Sequence, residues 1–338
     1  MADDSPRVFL VGAGPGNPGL LTLRALECLR QAELVVYDRL VPACLLEHAP
    51  ETAERICVSD LPGGHAQRYP QVQETLIAAA RQGKRVVRLK GGDPLLFGRG
   101  AEEAQALREA GIPYEIVPGV TAGLAAAAYA GIPLTDRRHA SAVAFVTGHE
   151  NPDKPETAID WATLARFPGT LVIYMGMTRL PQIVQALLTH GKAPDTPAAA
   201  IEWGTTGAQR TVTCTLEELT DRVHDAHLKP PAIVVLGEVV ALRAQLLWFE
   251  QRPLTGKHVL VTRPRRQAAE LVHKLEQLGA IAHVMPVVEI AAPPDWRAVD
   301  GALAKLQSFQ WLVFTSANGV HAFIARLPHL GLDLRALG

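Results

Sequence analysis

Val8-Phe9-Leu10-Val11-Gly12-Ala13-Gly14-Pro15-Gly16-Asn17-Pro18-Gly19 joins an apolar run to a glycine- and proline-rich turn, and the amphipathic stretch Leu20 to Arg30 follows it. Four apolar residues bounded by turn chemistry read as a buried strand, and the helical spacing beyond them as a helix that packs back on it. Leu34-Val35-Val36-Tyr37 is the next strand, so the order is that of a parallel crossover unit. Arg85-Val86-Val87-Arg88-Leu89 and the helical Ala101 to Ala110 repeat it. The fold class is therefore α/β, with a parallel sheet in the first part.

Working outward, Val117-Pro118-Gly119 punctuates the chain before a small-residue helix, Ala122 to Ala130. Strand signals resume at Ala142 to Val146, Thr170 to Tyr174, Ala198 to Glu202, Gln209 to Thr213 and Ala232 to Leu236. Their spacing is irregular, and Thr211-Val212-Thr213 runs directly into Leu216-Glu217-Glu218-Leu219, which predicts a mixed sheet with antiparallel members. We divide the chain into a parallel-sheet domain over 1–118 and a mixed-sheet domain over 119–249, closed by a helix from Val239 to Phe249. Residues 250–256, with Arg252-Pro253-Leu254-Thr255-Gly256, read as a linker. A third unit over 257–338 alternates strands His258 to Val261, Ile281 to Val284 and Trp311 to Phe314 with helices Gln267 to Leu278 and Gly319 to Arg326. It carries nine basic and six acidic residues, whereas acidic residues prevail before it, as expected of a fusion boundary.

Apolar residues at 48% and charged residues at 20% fit a folded globular chain and exclude disordered, collagenous and coiled-coil classes. A net charge of −1 gives no field for nucleic acid or an anionic membrane, so any anion must meet a local basic cluster. Cys28, Cys44, Cys57 and Cys214 form no C-x-x-C pair, which suits a reducing cytoplasm. The acidic Met1 to Arg7 start is followed by no signal-like run, and no apolar stretch reaches the roughly 20 residues of a membrane span. No paired Cys/His or H-E-x-x-H spacing exists, so no metal site is expected; Thr147-Gly148-His149 reads as structural. Serine-hydrolase and P-loop patterns are missing as well.

The first turn has G-x-G-x-G spacing, but Pro15 and Pro18 remove amide donors that a phosphate cradle needs, which argues against a dinucleotide site. A tight turn without ligand remains an alternative. The second loop, Arg88-Leu89-Lys90-Gly91-Gly92-Asp93-Pro94-Leu95-Leu96-Phe97-Gly98-Arg99-Gly100-Ala101-Glu102-Glu103, leaves the carboxyl end of a strand, where open parallel sheets bind ligands. Asp93 can accept from a hydroxyl or an amine, or simply make a turn with Pro94; Arg99 can grip a carboxylate or be solvated. Glu102 and Glu103 suit a helix amino terminus, and Glu103 is read that way. Thr121 can cap the helix behind it. Arg137 and Arg138 are surface charge or, with Arg99 and Lys90, the required basic patch.

Taken in order, these segments resemble the tetrapyrrole methylase family, within it the branch that methylates uroporphyrinogen III. The likeness runs from about Val8 to Trp248. It rests on Val11 to Thr22, Tyr37-Asp38-Arg39-Leu40-Val41, residues 88–103, Pro118-Gly119-Val120-Thr121-Ala122, Val146 to His149, Tyr174-Met175-Gly176-Met177 and Glu202-Trp203-Gly204-Thr205-Thr206. The resemblance implies a two-domain methylase fold, usually a homodimer, that binds S-adenosyl-L-methionine and methylates carbons 2 and 7 of uroporphyrinogen III to give precorrin-2 for siroheme and cobalamin. By motif it implies that Pro15, Gly91, Gly92, Asp93, Leu96, Thr121, Ala122, Met175 and Gly204 contact the methyl donor. Asp38 corresponds to the proton acceptor and is counted as catalytic together with Arg99, and Arg99, Glu102 and Arg137 face the substrate. A strand-end turn is the plain alternative for Asp38.

One position departs from the family pattern. Where the family places a proton-donating lysine, this chain has Asp60, within Val58-Ser59-Asp60-Leu61-Pro62-Gly63-Gly64-His65, and Gln67-Arg68 reads as a small insertion. The lysine is dispensable, or Arg68 replaces it, or the chain is slow or acts on a related tetrapyrrole. The third unit resembles the first part of uroporphyrinogen III synthase, through Gly256 to Arg265 and Phe314-Thr315-Ser316-Ala317-Asn318-Gly319-Val320. That likeness implies a partial flavodoxin-like α/β segment. A complete synthase would need roughly 150 to 170 further residues, so no cyclising activity is expected of this chain alone. Alternatives are a methyltransferase for a later corrinoid precursor, a tetrapyrrole-binding protein without catalysis and, from another class, a nucleotide-binding regulator or oxidoreductase.

Overall fold

The computed structural model describes residues 5–149 and 158–337, with backbone alone at 65–67 and 265–266; Met1 to Asp4 of the amino-terminal reading lie outside them. The first sheet contains β1 (Val8–Gly12), β2 (Leu34–Tyr37), β3 (Glu54–Cys57), β4 (Val86–Lys90) and β5 (Tyr114–Val117). All its pairs are parallel, in the order β3-β2-β4-β1-β5. Helices α1 (Leu23–Arg30), α2 (Ala43–Leu46), α3 (His65–Arg81) and α4 (Gly100–Glu109) belong to this half. One face of the sheet buries Phe9, Val11, Val35 and Val87 with Leu29 and Leu45; the other buries Val8, Leu10, Val36 and Val86 with Leu76 and Leu107. Burial on both faces is what continuous apolar strands require.

After β5 comes α5 (Ala122–Tyr129), and then the second sheet. It contains β6 (Val143–Thr147), β7 (Thr170–Tyr174), β8 (Pro197–Glu202), β9 (Arg210–Thr215) and β10 (Ala232–Leu236), in the order β6-β7-β10-β8-β9. β6 and β7 run parallel, while β10 is antiparallel to β7 and β8, and β9 to β8. The sheet is mixed, as expected. The small-residue helix α5 fits because Ala126, Ala127 and Ala130 pack directly on Val172, Tyr174, Ala199 and Ile201.

Two expectations about elements fail. The helix predicted from Val239 to Phe249 is broken into a 3-10 turn at Glu238–Leu242, one helical turn at Arg243–Leu246 and another 3-10 turn at Phe249–Gln251. Leu247 is extended, and the Trp248 indole donates to the Ala128 carbonyl while its ring packs on Tyr129, which draws the chain off the helix axis. Trp311 to Phe314 forms no strand. β11 (His258–Val261) and β12 (Ile281–Val284) make a two-stranded parallel sheet, and no further strand among the described residues joins it. The segment is irregular and solvated instead, with Trp311 85% exposed.

The described residues fall into two compact units, one within Met1–Val261 and Ala269–Val284, the other within Thr262–Ala268 and Met285–Gly338. In the second unit, Ser316 caps the helix Ala317–Arg326, and Arg326 pairs with Asp300 and lies over Trp296.

Candidate active site

Three loops leave the carboxyl ends of β1, β4 and β5 and meet backbone to backbone. Ala13 donates to the Lys90 carbonyl, Gly14 and Gly92 exchange hydrogen bonds of 3.2 and 2.7 Å, and Gly119 fits against Gly92 and Gly12. A Cβ on Gly12 would lie 2.5 Å from Gly119 Cα, and one on Gly119 2.2 Å from the Gly92 carbonyl oxygen. The glycines of the first turn therefore serve loop-to-loop contact, which the phosphate-cradle comparison does not capture. Gly91, by contrast, opens on free space, and Pro15 on the first loop is half-buried.

Asp93 ties this junction together. Its Oδ1 accepts from Leu95 N–H at 2.8 Å, the turn expected with Pro94, and its Oδ2 accepts from Gly119 N–H at 3.1 Å. Leu96 and Ala122 pack against the core of the second sheet, so the β4 loop reaches across to it. Asn17 makes a second crossing: its N–H donates to Thr205 Oγ1 at 3.0 Å and its amide to Tyr129 Oη at 3.2 Å.

Thr121 stands at the start of α5, but its hydroxyl does not cap the helix. Tyr174 does so instead. The phenol oxygen accepts from Gly123 N–H at 2.8 Å and shares a hydrogen bond with the Thr121 hydroxyl at 2.8 Å. The cap comes from the end of β7, and burial pushes the Tyr174 phenol up. Gly123 is required there, since a Cβ would sit 2.4 Å from Tyr174 Oη. Beside Tyr174, Met175 has φ 53° and is exposed; at the end of β8, Trp203 and Thr205 have φ 47° and 73°. Gly204 lies between them, where a Cβ would be 2.5 Å from Ala126 Cβ. Phe97, with φ 55°, packs its ring 5.0 Å from Tyr174. Such backbone conformations cost about 1–2 kcal/mol each outside glycine and gather where a site is shaped.

The charged residues split into a buried set and an exposed set. Asp38, just past β2, accepts from Arg88 Nη2 at 2.6 Å and keeps a third of its side chain exposed. Arg88 is 1% exposed and donates through Nε to Glu103 Oε1 at 3.0 Å; that same oxygen accepts from Lys90 Nζ at 2.9 Å. Burial by itself would lower Arg88, but Asp38 and Glu103 outweigh it and hold the guanidinium up, whereas burial pushes the Lys90 ammonium down. Glu103 stands in the first turn of α4, as read, but is buried there. One expectation is corrected: Lys90 belongs to no surface patch, because it is buried and pairs with Glu103 inside the protein. One sign of this was available beforehand: Arg88 and Lys90 alternate with apolar residues in a central strand, where a charge must find a partner.

Arg99 and Glu102 are exposed. Two hydrogen bonds join them, one of 2.8 Å from Nε to Oε1 and one from Nη2 to Oε2, and the Arg99 guanidinium lies 3.4 Å from the Tyr69 ring centre. The Glu102 bond holds Arg99 up, and Arg99 holds Glu102 down. Arg137 is exposed in the turn bounded by the Asp136–Ala140 bridge, where it lines an open hollow with Thr135, Asp136, Ala140 and Ser141. Asp60 is exposed at the end of the 3-10 turn Val58–Asp60, and Arg68 donates to the neighbouring Leu61 carbonyl at 3.0 Å. His149 is exposed, with its backbone N–H and carbonyl both bonded to the Thr147 hydroxyl.

Among the described residues no group of three metal-ligating side chains exists, and no helix is long and apolar enough to cross a membrane. The family described as Tetrapyrrole (Corrin/Porphyrin) Methylases matches residues 7–220, and that described as Uroporphyrinogen-III synthase HemD matches 269–338. The Bacillus subtilis uroporphyrinogen-III C-methyltransferase is 41% identical over 98% of this chain and 68% of its own length. The porphyrin biosynthesis protein HemD of Ruminiclostridium josui is 40% identical over 98% and 65%. Siroheme synthase 1 of Yersinia enterocolitica is 50% identical over 75% of this chain, which spans about half of that relative (52%). Among solved structures, the Thermus thermophilus uroporphyrin-III C-methyl transferase complexed with S-adenyl homocysteine has a TM-score of 0.60 at 42% identity, covering 70% of this chain and 99% of that one.

Proposed function

Because the chain belongs to the tetrapyrrole methylase family, we propose that it uses S-adenosyl-L-methionine to methylate uroporphyrinogen III at carbons 2 and 7, giving precorrin-2 for siroheme and cobalamin synthesis. The observation that carries the reading is the joining of the three glycine loops to the Tyr174–Thr121 cap, which makes a preformed crossing between the two sheets. Free space before Gly91 and the exposed side chain of Met175 suit a nucleoside that carries a sulfonium-linked side chain. Pro15, Gly91, Gly92, Asp93, Leu96, Thr121, Ala122, Met175 and Gly204 would hold it. Asp93, already accepting two N–H bonds, acts by fixing the loops as well as by its remaining lone pairs.

The sulfonium supplies an activated methyl group, so the chain needs only to align the reactants and manage the proton each transfer releases. Asp38 accepts that proton: Arg88 orients one oxygen, while no described residue donates to Oδ2. Substrate carboxylates meet Arg99 and Arg137, whose planar forks suit them, and Glu102 aims Arg99. Asp60 leaves the role of proton donor to solvent, with Arg68 able to supply only positive charge nearby. A homodimer in the cytoplasm completes the reading. The likeness to the cobalt precorrin-4 methyltransferase CbiF, with a TM-score of 0.63 at 28% identity, keeps a later corrinoid precursor as the second reading.

Anaerobic incubation of the chain with S-adenosyl-L-methionine and freshly generated uroporphyrinogen III, followed by mass spectrometry, tests this. A gain of two methyl groups is expected. Methylation of a later precursor in place of uroporphyrinogen III would overturn the substrate, and failure to bind S-adenosylhomocysteine would overturn the reaction.

A further inference from the structure

Lys90 and Glu103 lie behind Asp38, separated from it by Arg88, and the four side chains form one line of alternating charge: Asp38 to Arg88 at 2.6 Å, Arg88 to Glu103 at 3.0 Å, Glu103 to Lys90 at 2.9 Å. Only Asp38 touches solvent appreciably; the other three are no more than 2% exposed. Glu103 Oε2 is buried without a hydrogen-bond partner, so both cations share a single oxygen. A sheet and a helix needing only stability would have fewer charges here, because hydrophobic replacement of a buried ionic group is commonly neutral or stabilising. The arrangement is also balanced: two cations, two anions, and a single member that solvent and substrate can reach.

We propose that Lys90 and Glu103 are positioning residues that set the basicity of Asp38 through Arg88. This rests on the reading of Asp38 as proton acceptor. When Asp38 takes a proton, Arg88 loses one of its two anionic partners and the line gains a positive charge. Glu103 then holds Arg88 alone, and Lys90, pushed down by burial, limits how strongly it does so. Arg88 thus grips Asp38 firmly enough to orient it but not so firmly that it can no longer take the proton. The other ionisable groups facing this line are Tyr69 on α3, which interacts with Asp38 and Arg88, and the exposed Arg99–Glu102 pair, whose carboxylate interacts with Lys90.

The test is the pH profile of the methyl-transfer rate in single turnover, whose acid limb reports the loss of the base. Lys90→Met removes a positive charge, frees Glu103 to hold Arg88, and moves the acid limb upward by about half a pH unit or more. Glu103→Gln leaves Arg88 to act on Asp38 undivided and moves the limb down by a similar amount. The double variant Lys90→Met/Glu103→Gln keeps the charge balance, and its limb lies between those of the singles. It and Lys90→Met carry the test if Glu103→Gln does not fold. A merely structural role would lower the rate without moving the limb, and shifts of the same sign in both singles would overturn the proposal as well. Asp38→Asn separates the two failures. Loss of turnover in Asp38→Asn with unmoved limbs sinks this inference alone, whereas an Asp38→Asn protein as active as wild type overturns both the proton-acceptor reading and this inference.

Discussion

Tyr174 does work that a local cap would ordinarily do. Its phenol oxygen closes the start of α5 from the end of β7, 51 positions along the chain from Gly123, so a change at β7 is felt at Thr121 and Gly123. Tyr174→Phe leaves the buried Gly123 N–H without an acceptor, which costs about 1–3 kcal/mol. The melting temperature should fall, and titration calorimetry should show weaker S-adenosylhomocysteine binding; unchanged binding would separate the cap from the site. Asp60 poses the opposite question, because its side chain is exposed. Asp60→Lys should leave turnover unchanged or raise it, and a large loss would show that the aspartate has its own role. Neither Tyr174 as a cap nor Glu103 as a buried hub was legible beforehand. Spacing places a residue on an element, but which distant carbonyl, amide or cation it meets is set by tertiary packing.

For the elements, legibility follows burial. β2, β7 and β10 occupy the predicted ranges because they are short apolar runs in sheet interiors. β3, reading Glu54-Arg55-Ile56-Cys57, gave no such signal: it is an edge strand with two exposed charged residues, and only its pairing with β2 defines it. The helix α3 hid for another reason, since Pro70 interrupts its pattern. The glycine loops make the sharpest prediction at this scale. Gly119→Ala would drive a Cβ into the Gly92 carbonyl and Gly12, all of it backbone, at a cost of about 3 kcal/mol or more. Gly91→Ala meets nothing within 4 Å in the protein. It should therefore keep the melting temperature near wild type while weakening S-adenosylhomocysteine binding, which a paired melt and titration would show.

The whole molecule combines a well-buried unit with one whose apolar side chains remain widely exposed, among them Val287, Val288, Val313 and Trp311. Independent units need not melt together. Calorimetry should resolve two transitions, and S-adenosylhomocysteine at a hundred times its Kd should stabilise only the one carried by the first unit, by about 2.7 kcal/mol. Movement of both transitions together would mean that the units unfold as one. The α/β class and the change from parallel to mixed sheet were readable at this scale, because the order of strands and helices is local information. The bond from Asn17 to Thr205, 188 positions along the chain, was not.

The left-handed backbone at Met175, Trp203 and Thr205 has a consequence for anyone wishing to harden this protein. Glycine accepts that geometry without the side-chain penalty, so Met175→Gly and Trp203→Gly are natural winners in a screen that rewards heat resistance alone. The same exchanges strip the apolar lining from the crossing between the sheets. Selection by survival at temperature would drift towards sturdier variants with a smoother, emptier cleft, and only a screen that also scores turnover would keep the side chains for which the chain bends.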